Sequence, residues 1–196
     1  MTTPALLFTG GTSRRMGTPK AQIVWRGERL ADRAARVLAA VCDPVIEVGP
    51  GYTAVASVLE EPRGAGPLAA LVAGHEELAR RGMGRVPVVV LGVDLPFVGP
   101  ELIRLLADWP GAGTVVPDAG GHLQVLCARY GLDALALAAR TFAQGRRSLV
   151  GLVEQVGAEI VPEARLLPVV AEGHPTAFAD VDTPDDVARW LGDGDG

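Results

Sequence analysis

The sequence predicts an α/β fold in which helices cover both faces of a mostly parallel sheet, giving three layers. Short apolar runs alternate with helical patterns, as expected when helices connect successive strands. The segment Val86–Val93 has five valines and one leucine in eight residues, which suits the centre of a parallel sheet. With 196 residues, 48% of them hydrophobic, we expect one domain over 1–191 and a frayed tail over 192–196.

Local signals indicate each element of the first half of the chain. Apolar residues three to four apart predict a helix over Arg29–Val41. Prolines in a first helical turn predict two more helices, one from Gly66-Pro67 through Ala79 and one from Gly99-Pro100 through Ala107. Apolar runs next to glycine or proline predict strands at Ala5–Thr9, Pro44–Val48 and Ala56–Leu59.

The second half continues the alternation. Short apolar runs predict strands at Thr114–Val116, Leu123–Ala128, Glu159–Val161 and Phe178–Val181. Longer periodic segments predict helices at Leu132–Ala143 and Arg147–Val156. A last helix begins at Thr183-Pro184, with threonine as the N-cap and proline at the first helical position.

Composition limits the partners of the protein. A net charge of −5 argues against a general nucleic-acid-binding surface. Cys42 and Cys127 are isolated and predict buried apolar positions. The sequence has neither a secretory pattern nor an apolar run of about 20 residues, so we expect a cytoplasmic protein with no membrane partner.

In the segment Leu6 to Lys20, the apolar run of the first strand ends in a glycine-rich basic loop. It contains a glycine pair and two arginines, and it ends at the only lysine of a chain with 17 arginines. Its spacing fits neither the P-loop nor the dinucleotide-binding fingerprint. We interpret it as a triphosphate-binding loop in which backbone N–H groups of residues 10–13, Arg15 and Lys20 contact the nucleotide. The alternative is a basic surface loop.

Asp94 lies directly after the apolar strand and before Leu95-Pro96. Ligands of open α/β sheets bind beyond the carboxyl ends of the strands, so we expect Asp94 and the glycine loop to face each other. A carboxylate there can hold Mg²⁺ against substrate phosphates, because Mg²⁺ uses one or two carboxylates plus phosphate oxygens. The alternative is a capping or turn aspartate.

Three further side chains are candidate substrate contacts. Asp180 and Asp182 alternate on one face of a predicted strand end, where they join the metal site, bond a ligand hydroxyl or are plain surface carboxylates. His122 follows Gly120-Gly121 and is either a substrate contact or an ordinary loop histidine.

Together these motifs resemble the nucleotidyltransferases that make dinucleotide forms of the molybdenum cofactor, and among them the guanylyltransferases. The matching segments run in family order from residue 6 to 190: Phe8-Thr9-Gly10-Gly11, Arg15-Met16-Gly17 with Lys20, Gly66-Pro67-Leu68-Ala69, Asp94-Leu95-Pro96-Phe97, and Asp180-Val181-Asp182-Thr183-Pro184-Asp185. Asp180 and Asp182 replace two asparagines of the family, as in cytidylyl-transferring relatives. The Gly10-Gly11 form is instead that of the guanylyl-transferring members.

The resemblance implies a Rossmann-like nucleotidyltransferase domain and assigns roles to individual residues. The nucleotide-binding set is Phe8, Thr9, Gly10, Gly11, Lys20, Glu61, Gly66, Pro67 and Asp94. Within it, Phe8 to Gly11 line the base and ribose, Lys20 binds phosphate, Asp94 binds Mg²⁺, and Glu61 is the acidic residue before the Gly-Pro-Leu segment.

The resemblance therefore implies transfer of GMP from GTP to the terminal phosphate of molybdopterin, with release of pyrophosphate. The acceptor phosphate is itself the nucleophile, so the protein aligns the reactants and neutralises charge. Arg15, Lys20 and Asp94 are the expected catalytic residues. Molybdoenzymes or cofactor-handling proteins are further expected partners. Two alternatives are a cytidylyltransferase or other small-substrate nucleotidyltransferase of the same fold, and a non-catalytic nucleotide- or cofactor-binding accessory protein.

Overall fold

The computed structural model describes residues 2–10, 18–170 and 177–191. An eight-stranded sheet has the strand order β10-β7-β9-β6-β1-β4-β5, with β8 paired to β7, and β2 and β3 form a separate hairpin. The strands are β1 (Ala5–Phe8), β2 (Val24–Trp25), β3 (Glu28–Arg29), β4 (Val45–Val48), β5 (Ala56–Val58), β6 (Val88–Gly92), β7 (Val115–Ala119), β8 (His122–Leu123), β9 (Cys127–Tyr130) and β10 (Glu159–Pro162). The helices are α1 (Leu30–Ala39), α2 (Pro67–Arg80), α3 (Pro100–Ala107), α4 (Leu132–Ala143), α5 (Leu149–Val156), α6 (Glu163–Val170) and α7 (Pro184–Leu191).

The three-layer, mostly parallel arrangement is confirmed. β1 pairs in parallel with both β4 and β6, and β10 pairs in parallel with β7. Only β9 runs against its neighbours in the main path, between β6 and β7. Apolar side chains alternate between the faces of the sheet, packing against α1 and α3 on one side and against α2, α4 and α5 on the other.

The register brings the two predicted site segments to one edge of the sheet. Phe8 lies opposite Gly92 on one side and Val48 on the other, so the chain leaves β1, β4 and β6 at the same level. A third apolar cluster then packs the β2–β3 hairpin and α7 beside this edge. In this cluster the Phe97 ring packs edge-on against Trp25 and Trp190, with ring centroids 5.2 Å and 6.3 Å apart, respectively.

Two strand predictions are wrong. The predicted strand Leu123–Ala128 is two elements, because Cys127 N–H bonds to the Gln124 carbonyl at 2.9 Å and closes a turn between β8 and β9. Phe178–Val181 is not a strand. Among the described residues, its main-chain bond beside the sheet joins the Val181 N–H to the Asp94 carbonyl at 2.9 Å, and the Val181 side chain is buried in the third cluster.

The sequence patterns did not predict the β2–β3 hairpin or helix α6. The β2–β3 hairpin turns through Arg26 and Gly27, both with positive φ, so an arginine stands where glycine or asparagine would signal the turn. Helix α6 follows β10 directly and has no capping signal in the sequence.

Several local predictions are confirmed. Pro67 and Pro100 open their helices, and Thr183 caps α7 by accepting the Asp186 N–H at 3.2 Å. Cys42 and Cys127 are buried free thiols, and burial raises the pKa of each to about 12. In the parts of the chain that the structure describes, no helix has the length and apolar character needed to cross a bilayer. The tail over 192–196 lies outside the described residues.

Candidate active site

Asp94 occupies a space that only glycine leaves open. A Cβ atom on Gly92 would lie 2.3 Å from Asp94 Oδ1 and 3.1 Å from the Leu126 Cβ. Both distances are below ordinary contact, so the carboxylate folds back over the bare end of β6. The sequence Gly92-Val93-Asp94 thus fixes the direction of the carboxylate as well as its position.

The Asp94 carboxylate is poorly compensated. Its Oδ1 is buried and has no hydrogen-bond partner among the described residues. Burial raises the pKa of Asp94, the positive charge of Lys20 opposes that rise, and the carboxylates of Asp182 and Asp180 add to it. An orphaned, buried carboxylate oxygen suits a divalent cation, so the donor set fits the Mg²⁺ that the sequence predicts.

Lys20, Asp180 and Asp182 converge on Asp94 from distant parts of the chain. Lys20 Nζ forms an ion pair with Asp182, and the bond from Val181 N–H to the Asp94 carbonyl holds both aspartates nearby. Val181 is buried and its two aspartate neighbours are exposed, so the alternation expected here is present even without a strand.

Protein carboxylates alone do not complete a metal site. Across residues 2–10, 18–170 and 177–191, no three His, Cys, Asp or Glu side chains group closely enough to hold an ion. Mg²⁺ typically takes one or two carboxylates and completes its shell with water and substrate phosphates. Asp94 therefore fits a cation that arrives with a phosphate-bearing substrate.

The hydroxyl of Thr9 is engaged by Glu47, a residue that sequence reasoning missed. Thr9 Oγ1 donates to Glu47 Oε1 at 2.6 Å, and both side chains are buried. A Cβ on Gly49 would lie 2.1 Å from Thr9 Oγ1, so Gly49 leaves room for this contact. The hydroxyl proton of Thr9 is thus used within the protein and is not available to a ligand.

Glu47 also holds the loop after β4. Its Oε1 accepts N–H bonds from Gly51 at 3.1 Å and Tyr52 at 2.8 Å, and its Oε2 accepts from the N–H and hydroxyl of Thr53. Burial opposes ionisation of Glu47, but the hydrogen bonds from Thr9, Tyr52 and Thr53 outweigh it and lower its pKa. The signal in the sequence was a single carboxylate inside an apolar strand.

Replacing Glu47 by glutamine should destabilise the protein by about 2–3 kcal/mol, because an amide nitrogen cannot accept the bonds that Oε2 receives from Thr53. The folded-state pKa is lowered, so the stabilisation is present above the ordinary glutamate pKa and is lost as pH falls through the folded value. Urea unfolding of both proteins at pH 7 and pH 4 measures this. A difference that grows toward pH 4 would contradict the assignment.

The acidic residue beside Gly10 is Glu60 rather than Glu61. A Cβ on Gly10 would lie 3.6 Å from Glu60 Oε1, whereas Glu61 is exposed. Glu60 Oε1 also accepts the Gly64 N–H at 3.0 Å, which ties it to the loop before α2. Gly66, with φ of 97°, then turns the chain into Pro67 at the start of α2.

The remaining predicted residues have different outcomes. Gly11 and Arg15 lie outside the described residues. Phe8 is buried in the core on the α2 face. His122 is exposed on β8, and within the described residues its ring makes no hydrogen bond. Lys20, Asp94, Asp180 and Asp182 are thus the predicted residues that the structure brings together.

Comparison with known proteins gives concordant results. A family model described as the MobA-like NTP transferase domain matches residues 5–160. A probable molybdenum cofactor guanylyltransferase of Opitutus terrae is 39% identical over 151 residues, 73% of each chain. The structure of molybdopterin-guanine dinucleotide biosynthesis protein A from Archaeoglobus fulgidus matches with a TM-score of 0.78 at 21% identity, covering 96% of this chain and 97% of that one. A Mycobacterium tuberculosis protein in complex with manganese matches with a TM-score of 0.67 at 17% identity, covering 98% and 100%.

Proposed function

The chain belongs to the family of MobA-like NTP transferases, and we propose that it transfers GMP from GTP to the phosphate of molybdopterin, releasing pyrophosphate. Family membership confirms the predicted enzyme class, a nucleotidyltransferase. The acceptor and the base follow from the names of the relatives and from the Gly10-Gly11 form of the loop. The observation that carries the proposal is the orphaned Asp94 oxygen, which lies over Gly92 and beside Lys20.

Each residue contributes to binding or to charge neutralisation. We assign Lys20 and Arg15 to the phosphates that leave as pyrophosphate, because their charges stabilise the negative charge that develops there. The backbone at Thr9 and Gly10, held by Glu47, lines the donor nucleotide, with Glu60 beside it. Asp94 would hold Mg²⁺, which neutralises charge on the reacting phosphate oxygens.

The acceptor needs no protein nucleophile, because its phosphate oxygen attacks the α-phosphorus of the donor. The task left to the protein is to hold both substrates in line and to exclude water. The exposed aspartates at 180 and 182 lie close to Asp94, at the edge of the sheet to which we assign both substrates. We propose that they contact the acceptor, and that Asp182 releases Lys20 when phosphate binds.

A competition between GTP and CTP tests the proposal. With molybdopterin as acceptor and pyrophosphate release as the readout, GTP should be preferred at least about tenfold in kcat/KM, a difference that contacts to a base readily supply. Preference for CTP would replace this proposal with the cytidylyl alternative, which Asp180 and Asp182 favour. Binding of GTP without pyrophosphate release would indicate the accessory protein.

A further inference from the structure

Asp118 carries a second orphaned carboxylate oxygen, and the reaction described above does not use it. Its Oδ1 is buried and has no hydrogen-bond partner among the described residues, as with Oδ1 of Asp94. Asp118 lies near the end of β7, opposite Leu123 of β8. A buried acceptor without a donor is costly, and an N–H donor of a ligand would satisfy it.

The sheet register places Asp118 level with Gly92. Arg129 of β9 lies opposite Val115 on one side and Val89 on the other. β6 and β7 run in the same direction, so three residues further along Asp118 and Gly92 are level. The segment 124–126 lies between them: the Gln124 N–H bonds to the Pro117 carbonyl at 2.8 Å, and the Leu126 carbonyl accepts the Gly92 N–H at 2.7 Å. Two strand spacings separate Asp118 from Gly92, which is roughly 10 Å.

Both residues also share one face of the sheet. Side chains alternate along a strand, so Asp118 lies on the same face as Val116 and Gly92 lies on the same face as Val90. Val116 and Val90 both pack in the core beneath α2, α4 and α5. Because Asp94 Oδ1 lies against the position of a Gly92 Cβ, Oδ1 of Asp94 and Oδ1 of Asp118 are on the same face of the sheet.

Asp118 lies on the side of Asp94 opposite to the donor residues. The residues assigned to the donor nucleotide follow β1 and β5 or open α2, all on one side of β6. Asp118 is on β7, beyond β9, on the other side. Asp94 therefore lies between the residues assigned to the donor nucleotide and Asp118.

We propose that Asp118 recognises the acceptor by accepting hydrogen bonds from the amino-pyrimidinone edge of its pterin ring. This inference rests on the proposed function for the identity of the acceptor. The edge of a pterin presents a ring N–H and an adjacent amino N–H, both donors, and an ionised carboxylate accepts with both of its oxygens. Guanine carries the same edge, so the test must separate acceptor from donor.

Steady-state kinetics of Asp118→Asn make this separation. The variant should raise KM for molybdopterin about 10-fold or more and leave KM for GTP unchanged. The reason is that the side-chain NH2 group of asparagine is a donor and cannot accept a hydrogen bond from the N–H groups of the pterin ring. Asp108→Asn, at the exposed end of α3, is the matched control and should change neither constant. A raised KM for GTP, or no change in either constant, would overturn the proposal.

Equilibrium binding to the wild-type protein gives a readout that needs no turnover. Pterin should bind at least about 10-fold more tightly than lumazine, in which a carbonyl replaces the amino group, and Asp118→Asn should lose this preference. Equal binding of the two compounds to wild type would contradict the role of Asp118. If wild type makes no product from GTP and molybdopterin but still prefers pterin, the proposed function fails and the assignment of Asp118 stands.

Discussion

Replacing Asp94 by asparagine should lower kcat by about 10²–10³-fold or more and at the same time make the protein more stable. Activity falls because the amide removes the charge that would hold the divalent cation beside the transferring phosphate. Stability rises because the variant no longer buries an uncompensated carboxylate oxygen. A gain of about 1 kcal/mol corresponds to roughly 2–4 °C in Tm for a chain of this size.

The stability effect of Asp94 has a defined pH dependence. Burial raises the pKa of Asp94, so the folded protein binds this proton more tightly than the unfolded chain does. Ionisation therefore costs stability as pH rises above the ordinary aspartate value, and the advantage of Asp94→Asn should appear there and vanish at lower pH. Thermal unfolding in a chelating buffer from pH 4 to pH 8 measures it.

A conservative change elsewhere serves as the control for Asp94. Asp185→Asn alters an exposed aspartate in the first turn of α7 and should leave both kcat and the pH profile of Tm close to wild type. Full turnover by Asp94→Asn with Mg²⁺ would remove this residue from the cation site. Loss of activity together with a lowered Tm would point to a structural role instead.

Replacing Lys20 by alanine should reduce kcat/KM for GTP by about 10²-fold, because the variant loses a cation at the phosphates. Lys20→Arg should restore only part of the activity. A guanidinium is broader than the compact ammonium and is not equivalent at a site that one point charge fills. Titration of GTP against each variant, followed by initial rates, separates the loss of binding from the loss of turnover.

The ion pair between Lys20 and Asp182 offers a discriminating comparison. If Lys20 only anchors the segment that carries Val181, then Asp182→Asn and Lys20→Ala should weaken GTP binding equally. If Lys20 binds phosphate, Asp182→Asn releases it from a competing carboxylate, and the GTP dissociation constant should stay within about threefold of wild type. Equal losses in both variants would contradict the phosphate-binding role.

The fold was predictable wherever local pattern and tertiary environment agreed. The valine-rich strand β6 and the proline-opened helices α2 and α3 lie close to their expected positions, because burial and cap geometry act on the same residues that the pattern shows. The prediction of a strand at Phe178–Val181 is wrong because the local pattern and the tertiary environment disagree there. An apolar residue such as Val181 can be buried by a loop that crosses the sheet edge, and periodicity does not distinguish the two cases.

The candidate site was predictable in part. Asp94 and Lys20 each belong to a short local motif that follows a strand, and the carboxyl ends of those two strands meet at one edge of the sheet. The roles of Glu47 and Asp118 depend on long-range register: Glu47 meets Thr9 across β1 and β4, and Asp118 is level with Gly92 only through β9. The family pattern also indicates Glu61 as the acidic residue of the donor side, whereas the carboxylate that lies beside Gly10 is that of Glu60, which accepts the Gly64 N–H.

The fate of the α-phosphorus of GTP tests the central claim most directly. The protein is incubated with molybdopterin, Mg²⁺ and GTP labelled at the α-phosphate, and the products are separated. The proposed reaction places the label in a molybdopterin–guanine dinucleotide, with one pyrophosphate released for each label incorporated. Label recovered only in GMP or GDP, or release of orthophosphate instead of pyrophosphate, would contradict nucleotidyl transfer to this acceptor.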